Sequence, residues 1–455
     1  MAYVLWTVRS NGKYVRHKSR QNRQILENCI AEIRVTSRPL LSIIMIKIFI
    51  QTYGCQMNEA DSEEMFLHLS ARGAVRTDNL DEADAVLINT CTVRDHAEHR
   101  ALSFLGRLCK WKRQNPKRII IFAGCAAERL GKQLKKRYPY LNILSGAKNI
   151  EHFDETLNKS GLFAPAGQPC VPQTGLSAYV TIMRGCNFNC TYCIVPSVRG
   201  PIKCLPKADI LADAARKAKA GAKEIMLLGQ TVNAYADGTT TFADLLNRVS
   251  EIPGVERVRF TSPHPIYFTP QFLAAVKDNP KIAHHVHLPV QSGSTKVLQE
   301  MKRGYTREIF LEKVRALQAA GFEISTDIIV GFPTETEEDF KQTLSLVDEA
   351  RFIAAYCFKY SPRQGTPAAQ MQLHDEQTLE KRLDILLNKV KGLSEAAYQR
   401  QVGTVQQVLM EEPRKGKSST NFWVQTGLDF PPGSVVSCKI EKAEGTLLFA
   451  RNEHD

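Results

Sequence analysis

Cys186, Cys190 and Cys193 stand in C-x-x-x-C-x-x-C spacing within RGCNFNCTYC (184–193), directly after an apolar run. Three soft thiolates on so short a loop suit three irons of a four-iron four-sulfur cluster and leave the fourth iron open to a small molecule. Zinc is the competing metal, but closed zinc sites usually show two C-x-x-C or C-x-x-H pairs, and the nearest further cysteine, Cys204, lies eleven residues on. A second set of thiols is spread along the chain. Three strand-like runs, IKIFIQTYGC (46–55), ADAVLINTC (83–91) and RIIIFAGC (118–125), each end in a cysteine: Cys55, Cys91 and Cys125. One buried cysteine commonly behaves as a small apolar residue; three at the same place in successive units point to a second metal site. Cys29, Cys109, Cys170, Cys204, Cys357 and Cys438 lack that placement, and Cys109 (helical run) and Cys357 (strand-like run) read as packing residues.

Amphipathic stretches near 59–72 and 94–115 separate the three runs, so the region from Met45 to Gly161 reads as repeated β-α units on a parallel sheet. Ligands of such sheets bind beyond the carboxyl ends of the strands, where the three cysteines would meet. Pro165, Gly167, Pro169, Pro172 and Gly175 mark a linker over 162–177. Six apolar strands then alternate with helices: 179–184, 224–228, 257–260, 285–289, 323–330 and 354–360. Six units are too few for a closed eight-stranded barrel, so an open, partial (β/α)6 barrel is expected. Gly229-Gln230-Thr231, Thr261-Ser262-Pro263-His264, Gln291-Ser292-Gly293 and Gly331-Phe332-Pro333 fall at its rim, where Gly and Pro serve turns as readily as ligands. His284, His285 and His287 read as packing or surface residues. After 400, apolar runs at 405–410 and 435–440, with Pro431-Pro432-Gly433 between, suggest a small β-barrel. Its stretch 414–423 gathers Arg414, Lys415 and Lys417 with Phe422 and Trp423, cations for phosphate and rings for stacking; the ordinary alternative is a solvated hairpin with Trp423 in the barrel core.

The chain has 455 residues, 43% of them apolar, enough for two or three domains with their own cores. A formal charge of +13 points to a polyanionic partner, most often nucleic acid. Twelve cysteines, six of them grouped as ligands, fit a reducing compartment, and a cytoplasmic protein is expected. Residues 1–44 hold eight Arg or Lys against Glu27 and Glu32. This basic extension reads as a start assigned too early or as a transit segment, with Met45 the expected functional start. The run 40–50 is too short and interrupted to cross a membrane.

Tyr192, just before the last cysteine of the loop, completes a pattern that resembles the signature of radical S-adenosylmethionine (SAM) enzymes. The resemblance implies that SAM chelates the open iron and is cleaved to a 5′-deoxyadenosyl radical, with Tyr192 near the adenine; by their place at the rim, Gln230 and Gln291 are the expected SAM contacts. Taken in order, the chain from Met45 onward resembles the methylthiotransferases. That implies an N-terminal methylthiotransferase domain (45–161), a linker (162–177), a radical SAM core (178–399) and a TRAM RNA-binding domain (400–455). The strings QTYGCQMN (51–58), NTC (89–91), GQTVNAY (229–235) and YSPRQGTPAA (360–369) look most like the branch that acts on isopentenyl-adenosine in tRNA. The resemblance further implies two 4Fe-4S clusters, one on Cys186, Cys190 and Cys193 and one on Cys55, Cys91 and Cys125. One SAM would give the methyl group and another the radical, converting N6-(dimethylallyl)adenosine at tRNA position 37 to its 2-methylthio form. Expected partners are the tRNA anticodon loop and an electron donor such as flavodoxin or ferredoxin, acting on a monomer. Threonylcarbamoyl-adenosine or a ribosomal-protein aspartate are the alternative acceptors. The contrasting class is a non-catalytic iron-sulfur RNA-binding protein, although simple electron carriers hold their clusters with four cysteines.

Overall fold

The computed structural model describes residues 45–169 and 175–452; the extension expected over 1–44, Cys29, Cys170 and part of the expected linker lie outside the described residues. Five strands, β1 (Ile46–Tyr53), β2 (Ala74–Arg76), β3 (Ala85–Thr90), β4 (Ile119–Gly124) and β5 (Ile143–Gly146), form an all-parallel sheet in the order β2-β1-β3-β4-β5. Every residue of β3 and β4 is buried, which is why both read as unbroken apolar runs rather than alternating ones. Parallel neighbours need crossovers, and helices α1 (Gln56–Ser70) and α2 (Asp95–Gln114) supply them. Helix α2 buries Ala101, Phe104, Leu105, Leu108 and Trp111, one stripe at helical spacing, and leaves its other face to solvent. A short helix, α3 (Cys125–Leu130), starts directly at the end of β4.

The central region opens with β6 (Ser177–Thr181) and β7 (Met183–Arg184), where one strand was expected; β7 turns aside to pair antiparallel with β8 (Lys203–Cys204). Between β7 and β8 lie the C-x-x-x-C-x-x-C loop and helix α4 (Val195–Arg199). Strands β9 (Glu224–Leu228), β10 (Arg257–Phe260), β11 (His285–His287), β12 (Glu323–Val330) and β13 (Ala354–Lys359) complete a parallel array in two runs, β6-β9-β10 and β11-β12-β13. A parallel bridge from Val258 to Ile282 joins them. This is the expected open six-unit barrel. Its largest apolar cluster packs strands such as Val180, Ile225, Val258 and Ile328 against helical residues such as Leu246, Phe310 and Leu346.

Helix α5 (Glu376–Gln399) leads into a closed five-stranded barrel of β14 (Val405–Glu412), β15 (Lys415–Ser418), β16 (Trp423–Thr426), β17 (Val435–Glu444) and β18 (Leu447–Asn452). Val408, Met410, Phe422, Val424, Ile440 and Leu448 fill it. It docks on the core through buried arginines: Arg257 and Arg259 donate to the Lys417 and Ser418 carbonyls at 2.8 and 2.9 Å, and Glu224 lies 2.6 Å from Arg259. Among the described residues no helix is long and apolar enough to cross a membrane.

Candidate active site

Cys55 caps α1, Cys91 follows β3 and Cys125 opens α3, so all three lie at carboxyl ends of adjacent strands. The backbone there has no room for larger neighbours. A Cβ on Gly54 would stand 2.9 Å from the Cβ of Cys91, and Gly124, at φ 92°, would bring one to 2.2 Å from Asn89 Oδ1. Asn89 ties the strand ends together by donating to the Asn58 carbonyl at 2.7 Å and to Ser62 Oγ at 3.0 Å. The thiols sense one another. A hydrogen bond from Cys91, opposed by burial and helped by Arg199, draws the Cys55 thiol down to about 6, while that same bond and burial raise Cys91 well above the ordinary range. Burial likewise raises Cys125, against the pull of Arg199.

The second trio sits on the loop after β7. Gly185 is at φ 78°, and a Cβ there would fall 2.0 Å from the Pro201 carbonyl oxygen. Cys186 N–H donates to the Gly200 carbonyl (3.0 Å), and Thr191 N–H to that of Met301 (3.1 Å), which clamps the loop between β8 and the rim of β11. Cys193 is pushed up to about 12 by burial, with the charges of Cys190 and Cys186 adding to the effect. Arg303, which no local pattern singles out, organises this site. It donates to Cys190 Sγ at 3.5 Å, to Tyr192 Oη at 3.4 Å and to Tyr305 Oη at 3.0 Å. Phe188, between the first two cysteines, stacks on His264 at 4.0 Å with the rings 13° apart. Burial, then Arg303, hold His264 down to about 3, so its ring is neutral. Both its nitrogens are buried without a partner.

Of the other expected site residues, Gln230 lies beside the loop. Its neighbour Thr231 places Oγ1 3.7 Å from Cys186 Sγ, and Gln230 Oε1 is buried without a partner. Gln291 adopts φ 74°, a conformation side chains resist, pinned by backbone bonds to Asp327 and Ile329; its side chain makes no hydrogen bond among the described residues. The histidines are held by the fold: His285 and His287 share Ser325 Oγ, and His287 pairs with Asp327 at 3.2 Å. At the C-terminal barrel the alternative that puts Trp423 in the core is corrected. Phe422 is buried in the barrel core, because alternation along the strand turns it inward and Trp423 outward. Trp423 is covered in turn by Lys415 and Lys417 at 4.6 and 4.4 Å from its ring, and Arg414 is paired with Asp429.

A buried ion cluster joins the segments that carry the two trios. Asp61 of α1, 0% exposed, accepts from Arg184, two residues before Cys186, and from Arg199 of α4. Arg199 keeps Nη1 buried and unpartnered while its charge acts on Cys125 and Cys55. A second connection is the loop after β13: Ser361 and Arg363 bind Asp95 at the start of α2, and Ala368 N–H reaches the Thr191 carbonyl at 2.9 Å. Thr92, Asp95, Arg129, Pro362, Arg363 and Gln364 enclose a cavity of ≈ 140 Å³ there. Sequence reasoning misses Asp61, Arg199 and Arg303 because the partners that give them a role, Arg184 and Arg199 for Asp61, Asp61 for Arg199, and Cys190 and Tyr192 for Arg303, lie far away in the chain.

Both donor sets suit an anionic cluster: soft thiols in threes, with an orphaned guanidinium N–H at one and Arg303 against a sulfur at the other. Among the described residues no three Cys, His, Asp or Glu side chains crowd closely enough to hold a single metal ion. Residues 180–347 match the model of the radical SAM superfamily, and 47–146 match uncharacterized protein family UPF0004. A tRNA-2-methylthio-N(6)-dimethylallyladenosine synthase from Aquifex aeolicus is 41% identical over 88% of this chain and 98% of its own length. One of the same name from Chromobacterium violaceum is 43% identical over 84% and 91%. Among solved structures, the radical SAM methyltransferase TsrM of Kitasatospora setae superposes with a TM-score of 0.55 at 12% identity, over 78% of this chain and 90% of that one, a likeness of fold.

Proposed function

The chain belongs to the tRNA methylthiotransferases of the radical SAM superfamily, and from that membership we propose that it converts N6-(dimethylallyl)adenosine at tRNA position 37 to the 2-methylthio nucleoside, one SAM giving the methyl group and another the radical. The observation that carries this reading is the pair of cysteine trios whose segments Asp61 joins. An inert ring C–H has to be replaced by C–S–CH3, which no side-chain acid or base achieves alone, and the demands for a radical and for a sulfur are met by two separate sites. When bound, a cluster on Cys186, Cys190 and Cys193 would supply the electron that cleaves SAM, and one on Cys55, Cys91 and Cys125 the sulfur.

The chain's own residues prepare the two sites differently. Arg303 fixes Tyr192 and Cys190 in one hydrogen-bonded group, so the ring expected beside the SAM adenine has a set orientation. His264 offers unused, neutral nitrogens under Phe188, and Gln230 an unused carbonyl, both at the barrel rim where SAM would lie. Arg199 presents a buried N–H and a full charge to the N-terminal trio, which favours an anionic group there. The loop at 361–366 ties α2 to the core through Ser361 and Arg363, which bind Asp95. The C-terminal barrel is read as an RNA-binding TRAM module, with a one-electron donor such as flavodoxin or ferredoxin serving a cytoplasmic monomer. Mass spectrometry of tRNA nucleosides from a strain lacking the gene tests the substrate. Loss of the 2-methylthio-isopentenyl nucleoside with accumulation of its unthiolated precursor is expected. An unchanged isopentenyl series would instead direct the reading to threonylcarbamoyl-adenosine or a protein aspartate.

A further inference from the structure

The exposed face of α2 forms one wall of a cavity of ≈ 310 Å³ lined by Tyr53, His96, His99, Arg100, Ser103 and Arg107. Lys110 continues the face by another turn. The arginines are held ready: Arg100 lies 5.1 Å over the Tyr53 ring and Arg107 5.6 Å over that of Phe104, contacts that orient a guanidinium without neutralising it. Among the described residues neither arginine nor Lys110 has a carboxylate partner, because both acids at the start of the helix are engaged elsewhere, Asp95 with Arg363 and Glu98 with Arg129. This unneutralised stripe begins beside the N-terminal trio: the Tyr53 carbonyl accepts the Cys91 N–H at 2.8 Å, and at the start of the same helix the charge of Arg94 acts on Tyr356, a 58% exposed ring on β13 of the core.

We propose that this face of α2 binds the sugar-phosphate backbone of the RNA substrate beside the nucleotide that enters between the trios. The proposal rests on the tRNA methylthiotransferase reading and places a row of phosphate contacts on the N-terminal domain, in addition to Arg414, Lys415 and Lys417 of the C-terminal hairpin. Arginine forks match phosphate oxygens in pairs, and Arg100 to Lys110 covers about 15 Å of helix, enough for successive phosphates. An acidic protein is the less suited occupant, since stable protein interfaces centre on apolar or aromatic patches and this cavity offers only Tyr53.

The test is binding of the full chain to isopentenyl-containing tRNA at several salt concentrations, comparing wild type with Arg100→Gln/Arg107→Gln/Lys110→Gln. A loss of about tenfold or more in affinity is expected, and the slope of log K against log salt should fall by about 2 to 3, the signature of three lost phosphate contacts. Arg100→Lys/Arg107→Lys keeps the charge and should keep most of the slope, and iron content with near-ultraviolet circular dichroism establishes that each variant is folded. Affinity and slope within twofold of wild type in the folded triple variant overturn the proposal. So does normal RNA binding joined to lost binding of an acidic flavodoxin, which assigns the face to a protein. Wild type that binds no tRNA at any salt removes the wider reading and this proposal with it, an outcome distinct from the other two.

Discussion

Asp61 Oδ2 accepts a hydrogen bond from Arg199 Nη2 at 2.8 Å, joining a helix of the N-terminal sheet to the core. Its other oxygen takes Arg184, so one buried carboxylate holds two buried cations from the two ends of the cysteine-bearing segment. Burial alone would raise this carboxyl; Arg199 and Arg184 together hold it below the ordinary range.

Asp61→Asn keeps the shape, removes the charge and leaves Arg199 buried without a counter-ion. A loss of about 3–5 kcal/mol is expected, the usual result of breaking one side of a buried pair, read as a shift of the denaturation midpoint. Because the folded pKa is depressed, the advantage of wild type over Asn should be full above the unfolded value of about 4 and fade as pH falls through the folded one. A difference that persists undiminished in acid would contradict the assignment.

Iron-free protein offers a second readout. The Cys55 thiol is drawn down by the hydrogen bond from Cys91 and by Arg199, against the effect of burial, so iodoacetamide should label it at lower pH than the other thiols of the trio. Cys91, Cys125 and Cys193, all raised, should stay largely protonated and slow at neutral pH. Arg199→Gln should move the Cys55 midpoint upward. Peptide mapping of the alkylated protein checks both statements, and labelling of Cys91 before Cys55 would reverse the order.

Iron should partition between two independent sites. Replacing Cys186, Cys190 and Cys193 by Ala is expected to leave about half the iron and sulfide, and replacing Cys55, Cys91 and Cys125 the other half. Gly185→Ala, with no ligand removed, should mimic the first set because its Cβ has nowhere to go. Gly106→Ala, on α2 with open space around it, should retain all the iron. A folded loop variant that loses all its iron would mean one shared site.

Much of this architecture is legible in the sequence where interactions are local or periodic. Fully buried β3 and β4 announce themselves as apolar runs, and the loop cysteines by their spacing. Strands β2 and β5 are missed because three and four residues carry too little pattern. The hairpin aromatics are misjudged because a single residue of register decides whether Phe422 or Trp423 faces inward. Asp61 looks like any polar helix residue, since the cations that define it lie 123 and 138 residues away.

The two trios also differ in when they can exist. Cys186, Cys190 and Cys193 are neighbours in any conformation of their loop, so little closure entropy separates them even in a newly made chain. Cys55, Cys91 and Cys125 become a set only after β1, β3 and β4 have found their parallel register, a slow, non-local event. On the proposed two-cluster reading, ripening would have a built-in sequence: the core loop could accept iron early, whereas the N-terminal trio would take it only once the sheet has formed.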